Sequence, residues 1–250
     1  MENRVHDALL RPIRKKVGAA IGRFNLIEAG DTIAIGLSGG KDSITMLRVL
    51  ARLQSYSPVP FSLKAVTIDM GWGTQEAYLE KLCGEFQIPF HLEKTQIADI
   101  VFNHRQEKNP CSLCANLRRG AVNNVAVDLG CNKVALGHHL DDLLETMLLS
   151  MFYEGRLHTF SPKVYLSRKD LFVIRPMILV EEAEIQAVAD KLDYPLPPSG
   201  CPVDGYTKRN RMKELIRELS DEIPDLRNKM LSSLQNMDLD SLWFRDDPKI

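Results

Sequence analysis

The stretch that most constrains this chain is TIAIGLSGGKDSITML, residues 32–47. A short apolar run ends in two glycines, a lysine, an aspartate and two serines, and a helix-periodic segment follows at once. Read as strand, tight loop and helix, it demands a sheet that delivers the loop to its edge. Gly39 and Gly40 let the backbone approach a ligand with no Cβ in the way. Free N–H groups of the loop and of the first helical turn attract anions, Ser38 and Ser43 add hydroxyls, and Lys41 adds a positive charge. The loop matches neither the Walker A spacing nor G-x-G-x-x-G. A Gly-Gly turn before a helix is the plainer alternative.

The rest of the chain supplies such a sheet. Apolar runs predict strands over 31–37, 61–69, 88–95, 132–138 and 171–177. Helical periodicity predicts helices over 5–25, 41–53, 74–86, 112–130, 141–153, 181–192, 209–219 and 225–236. Strands alternating with helices, and strands apolar on both faces, indicate an α/β doubly wound, parallel five-stranded sheet. The organisation expected is an N-terminal helix (1–30), one α/β domain (31–195) and a small helical extension (196–250). In such sheets ligands bind beyond the strands' carboxyl ends at the switch point. Ser38–Ser43, Asp69 and Gly137–Asp142 would converge there.

In ALGHHLDDLLETML (135–148) Asp141 and Asp142 open a helix. Carboxylates at that position cap the dipole. They also suit a nucleotide's Mg²⁺, which takes one or two carboxylates plus phosphate oxygens. His138 and His139 fit packing or polar lining equally well.

Five cysteines in a chain without a signal peptide or a membrane-length apolar run point to the cytosol and away from disulfides. Cys111 and Cys114 form a CxxC at a helix start, where thiolates are favoured; alone it fits zinc, a redox pair or an iron–sulfur site. Cys201 lies in the Pro/Gly loop PLPPSGCPVDG (195–205), a poor place for a core thiol, whereas Cys83 and Cys131 read as core or edge residues. Three thiolates on a 4Fe-4S cluster leave one iron open. The net charge of -1 says little about partners, but RPIRKK (11–16), LRRG (117–120) and KRNRMK (208–213) are basic clusters. Each is a solvated helix face or a nucleic-acid contact.

SGGKDS, PCSLCANLRRG, ALGHHLDDLLETMLLSMFYEGRL, SPK, VIRPM and a later Cys in a Pro-rich loop follow one another in this order. Together they resemble the tRNA 2-thiocytidine synthetase family of PP-loop ATP pyrophosphatases, over about residues 5–220. The resemblance implies an adenine nucleotide α-hydrolase-like fold and an ATP-dependent, adenylating tRNA sulfurtransferase. A cytidine of the anticodon loop would be adenylated at its C2 oxygen, releasing pyrophosphate, and sulfide held at the open iron would then replace AMP. Carried over residue by residue, Ser38, Gly39, Gly40, Lys41, Asp42, Ser43, Gly137 and Asp142 would bind ATP·Mg²⁺, with Asp142 on the metal. Lys41, Asp42 and Asp141 would serve the chemistry. Cys111, Cys114 and Cys201 would hold the 4Fe-4S cluster, and Arg118, Arg119, Lys208, Arg209 and Arg211 the tRNA. A sulfur donor of sulfide or persulfide from a cysteine desulfurase is implied, no membrane partner is expected, and a homodimer is left open. The rivals are lysidine synthetase, a uridine 2-thiolase, or a non-catalytic ATP- and metal-binding redox module.

Overall fold

A computed structural model describes residues 2–105, 110–196, 208–236, 238 and 240. Helix α1 (Glu2–Phe24) leads into β1 (Thr32–Gly36), α2 (Lys41–Gln54), β2 (Ser62–Asp69), α3 (Glu76–Glu85) and β3 (Phe90–Lys94). A short turn, α4 (Ile97–Asp99), runs into a π-helical segment, Ile100–Arg105. Then come α5 (Pro110–Asp128), β4 (Lys133–Ala135), α6 (Leu140–Leu149) with a π-helical continuation Ser150–Glu154, β5 (Lys163–Leu166), β6 (Leu171–Ile174) and α7 (Glu182–Lys191). Helices α8 (Lys208–Glu222) and α9 (Leu226–Ser233) follow.

The sheet has six strands in the order β3-β2-β1-β4-β6-β5. The five expected strands are all present and mutually parallel. The expectation of five strands is corrected by β5, which pairs antiparallel with β6 from Lys163↔Ile174 to Leu166↔Leu171. Its KVYL is short, only partly buried and flanked by polar residues, as an edge strand is. The strand order reverses between β1 and β4, so the switch point lies where SGGKDS and GHHLDD emerge. Helix α2 buries Ile44, Met46, Leu47, Val49 and Leu50, while α5 lays Val122, Val125 and Ala126 on Ala34, Val66 and Val134.

By compactness the chain divides into residues 1–143 with 160–206, and residues 144–159 with 207–250. The N-terminal helix thus groups with the sheet, and the C-terminal helices group with 144–159. The first unit holds the whole sheet. In the second, Arg209 donates to Glu145 Oε2 and Thr146 Oγ1, both at 3.0 Å, and Lys208 Nζ lies 4.2 Å from the Tyr153 ring centroid.

At the amino end of the sheet, away from the switch point, Lys133 is almost fully buried. Its Nζ is 2.7 Å from Asp31 Oδ2 and from Glu28 Oε2, and donates to Leu26 O at 3.1 Å. Hydrogen bonds from Lys133 and Lys163 hold the Glu28 carboxyl down at about 2. Lys133→Met should cost about 3–5 kcal/mol, because it strands the buried Asp31 carboxylate. A urea titration would show this as a lower midpoint with an unchanged slope. A midpoint equal to wild type would mean that Asp31 has another cation. Glu28 contributes stability above its unfolded value and loses it as pH falls toward about 2.

Candidate active site

Sequence places Gly40 as the N-cap of α2, and Gly40 has no side chain with which to cap it. Its backbone is extended (φ −77°, ψ 159°) and no side-chain bond closes the helix start. The first-turn N–H groups therefore face the crevice unsatisfied by a cap, which is what an oxyanion needs. Gly39 has φ +82°, a left-handed conformation that a side chain would strain. The loop is braced from within. Ser43 is buried; its Oγ donates to Gly40 O at 2.9 Å and accepts from Ser38 N at 3.1 Å and from Ser38 Oγ at 3.2 Å. Ser38 is exposed at the mouth.

Gly137 brings the β4–α6 loop against this one. A Cβ there would sit 3.4 Å from Asp42 C and Ser43 N. The close approach sets His139 among three carboxylates. Its Nε2 is 3.5 Å from Asp142 Oδ2 and 3.9 Å from Asp42 Oδ1, and its Nδ1 is 3.9 Å from Asp141 Oδ2. Asp142 caps its own helix start, accepting from His139 N at 3.1 Å, yet is 24% exposed. Asp141 is buried and accepts from Glu182 N at 2.7 Å, tying the start of α6 to that of α7. The two adjacent aspartates thus differ: Asp142 borders the opening, and Asp141 positions elements.

Lys41 Nζ is 3.0 Å from Glu182 Oε1 and 3.2 Å from Asp42 Oδ1. Burial opposes its charge, but Asp42 and Glu182 outweigh burial, and the ammonium titrates above the usual lysine value. Asp42 Oδ1 is buried and finds no hydrogen-bond partner among the described residues. Glu182 was not singled out from sequence, and His139, read there as packing or polar lining, lies among the carboxylates of the site. The only signal for Glu182 was its place in the acidic opening of α7, which reads as capping.

The CxxC reaches the same sheet edge. Cys111 is exposed and Cys114 partly buried at the start of α5. Cys114 Sγ lies 3.7 Å from Sδ of Met70, the residue after β2. Cys201 lies outside the described residues. Cys83 is buried, and burial pushes its thiol up to about 12; burial also raises Cys131. Neither is a thiolate at neutral pH. Among the described residues no three His, Cys, Asp or Glu are placed to hold a metal ion alone.

Asp69 is turned to its own loop, where it accepts from Gly71 N at 2.9 Å. Arg118 is exposed, while Arg119 donates to Ala115 O and to Asn116 Oδ1 on its own helix. Arg211 lies 3.1 Å from Glu218 and 3.5 Å from Glu214. Among the described residues no helix is long and apolar enough to cross a membrane.

The PP-loop domain family model matches residues 11–219. A tRNA-cytidine(32) 2-sulfurtransferase of Syntrophotalea carbinolica is 44% identical over 93% of this chain and 92% of its own length. The enzyme of the same name from Geobacter metallireducens is 41% identical, again over 93% and 92%. Among solved structures, the U34-tRNA thiolase NcsA from Methanococcus maripaludis, with its [4Fe-4S] cluster, superposes with a TM-score of 0.73. It is 23% identical and covers 92% of this chain and 78% of its own, a likeness of fold.

Proposed function

This chain belongs to the PP-loop domain family and, within it, to the tRNA-cytidine(32) 2-sulfurtransferases, and from that premise we propose how its crevice carries out ATP-dependent tRNA thiolation. The observation that carries the reading is the uncapped start of α2, with Lys41 and the partly exposed Asp42 in its first turn and the partly exposed Asp142 at the start of α6. The loop N–H groups and Lys41 bind the phosphates of ATP. The C2 oxygen of an anticodon-loop cytidine attacks the α-phosphorus, the bond to the bridging oxygen breaks, and pyrophosphate leaves. Charge gathering on the phosphates meets fixed donors that need no reorganisation. A sulfur nucleophile then adds at C2 and AMP leaves. Adenylation is needed because the amide-like oxygen is otherwise a poor leaving group.

Two groups complete the site. Asp42 and Asp142 fit Mg²⁺, since both carboxylates are partly exposed and Asp42 Oδ1 is ion-paired with Lys41 at 3.2 Å rather than tied to the backbone. Cys111 and Cys114 are soft donors three residues apart on one exposed helix start, and Cys201 would be the third thiolate. The archaeal thiolase of the same fold carries a [4Fe-4S] cluster. Such a cluster, when bound, would hold the incoming sulfide for transfer; the chain's own residues orient the base and the nucleotide. The sulfur would come from a desulfurase as sulfide or persulfide, in the cytosol, where these thiols stay reduced.

The test is mass spectrometry of nucleosides from the tRNA of a strain lacking this gene. Loss of 2-thiocytidine is expected. An unchanged thionucleoside profile would reject the reading, and loss of a 2-thiouridine instead would move the substrate. For tRNA contacts, Arg118→Ala should weaken binding and flatten the salt dependence by about one unit of slope. Arg211→Ala should leave the slope near wild type, its charge being held by Glu214 and Glu218. Filter binding at several salt concentrations checks both; equal slopes for wild type and Arg118→Ala would return Arg118 to the solvated surface.

A further inference from the structure

Arg175, the residue after β6, stands at the carboxyl edge of the sheet and is only 7% exposed. Its Nη1 donates to Ser161 O at 2.6 Å, and its guanidinium carbon lies 4.8 Å from the Phe160 ring centroid. Its Nε is buried and finds no hydrogen-bond partner among the described residues. Among the described residues no carboxylate is within ion-pair distance of it. The charge that acts on it is another cation, Arg119 of α5, five residues past Cys114. Burial, and then Arg119, push its guanidinium down to about 10. Among the described residues Arg119 itself bonds neutral oxygens, at 3.2 Å and 2.6 Å. The other ring against Phe160 is His138, at 5.1 Å, so a stack of His138, Phe160 and Arg175 runs from the β4–α6 loop to the end of β6.

A buried charge without a counter-ion is costly, and one carbonyl and one ring face do not offset it. A methionine of similar volume would serve the fold as well or better. Two cations that pair with no carboxylate among the described residues, one of them at the edge where ligands of such sheets bind, form a half-built ion site. The planar fork of a guanidinium matches a phosphate's oxygens.

We propose that Arg175, with Arg119, forms an oxyanion subsite that takes a phosphate group of one of the two substrates. The inference rests on the thiolation reading, in which both substrates, ATP and tRNA, carry phosphates. Arg175 was not among the residues singled out from sequence. Arg119 is on the CxxC helix and Arg175 follows β6, both in the first compact unit.

The experiment compares wild type, Arg175→Met, Arg175→Lys and Arg119→Met in the full chain. It measures ATP affinity, tRNA affinity across salt, and the ligand-free melting temperature. Arg175→Met should melt at or above the wild-type temperature, because an uncompensated charge is gone. Its affinity for one substrate should fall roughly 10- to 100-fold, with Lys recovering part and Arg119→Met weakening the same substrate. A fall for tRNA with a salt slope shallower by about one identifies an RNA phosphodiester. A fall for ATP alone identifies a nucleotide phosphate. Wild-type affinity for both substrates in Arg175→Met and Arg119→Met would overturn the subsite, and a lower melting temperature with it would make Arg175 a pin for Phe160–Pro162. If Arg175→Met does not fold, the exposed Arg119→Met decides alone. Wild-type protein that bound neither ATP nor tRNA would instead defeat the thiolation reading.

Discussion

Asp42→Ala should lower pyrophosphate release by at least about 10²–10³-fold while the protein stays folded, the scale seen when a group that stabilises transition-state charge is removed. Asp42 lies in the first turn of α2, and its Oδ1 is buried without a hydrogen-bond partner among the described residues. The ion pair with Lys41 leaves that oxygen able to take a second cation arriving with ATP. Lys41 is 3.2 Å away and His139 Nε2 3.9 Å away, so the carboxylate also holds the charge that faces the phosphates. Stability should change little, since Lys41 keeps Glu182 at 3.0 Å and no buried partner of Asp42 is stranded. Asp42→Asn, of equal shape, separates charge from packing and should be nearly as inactive. Pyrophosphate release measured with tRNA, next to a melting curve, decides it. Wild-type turnover in either variant would remove Asp42 from the site and with it the metal role given to the pair Asp42 and Asp142.

Much of this site could be read from the chain because the signals were local. TIAIG is apolar on both faces and ends at two glycines, so strand, loop and helix follow from composition and from the missing Cβ atoms. The register of the doubly wound sheet then carries GHHLDD to the same edge. The unread parts depend on what crosses the fold. Glu182 reaches Lys41 from 141 residues away, and in sequence it is one of several acidic residues opening a helix. Asp141 and Asp142 are chemically identical neighbours. Burial and the bond from Glu182 N separate the one that positions from the one that opens to the crevice. Arg175 in VIRPM looks like a charge ending a strand; its burial without a carboxylate is visible only once β6 sits beside β4. The β5 strand was missed because four residues of mixed polarity give almost no period-2 signal, and pairing with β6 rather than propensity makes them a strand.

Serine at Cys111, Cys114 or Cys201 should each abolish iron binding, the brown absorbance and thiolation, because a hard oxygen replaces a soft thiolate. ATP binding should survive, since the phosphate loop is a separate stretch of backbone braced by Ser38 and Ser43. The described pair supports this division. Cys111 is exposed at the start of α5, and Cys114, one helical turn on, lies against Met70 just past the end of β2, at the carboxyl edge of the sheet. Cys83 and Cys131 are buried, and burial holds both thiols protonated at neutral pH, the wrong form for a ligand. Cys83→Ser and Cys131→Ser should therefore keep iron and activity. Each should lose about 1–3 kcal/mol of stability for burying a hydroxyl where a thiol packed. The measurements are iron content and visible absorbance of anaerobic protein, thionucleoside yield, and nucleotide affinity for all five variants. Iron retained without Cys201 but lost without Cys131 would show that the third ligand was wrongly chosen. Full thiolation by protein free of iron would end the cluster's role, leaving the adenylating half of the site to stand on the phosphate loop alone.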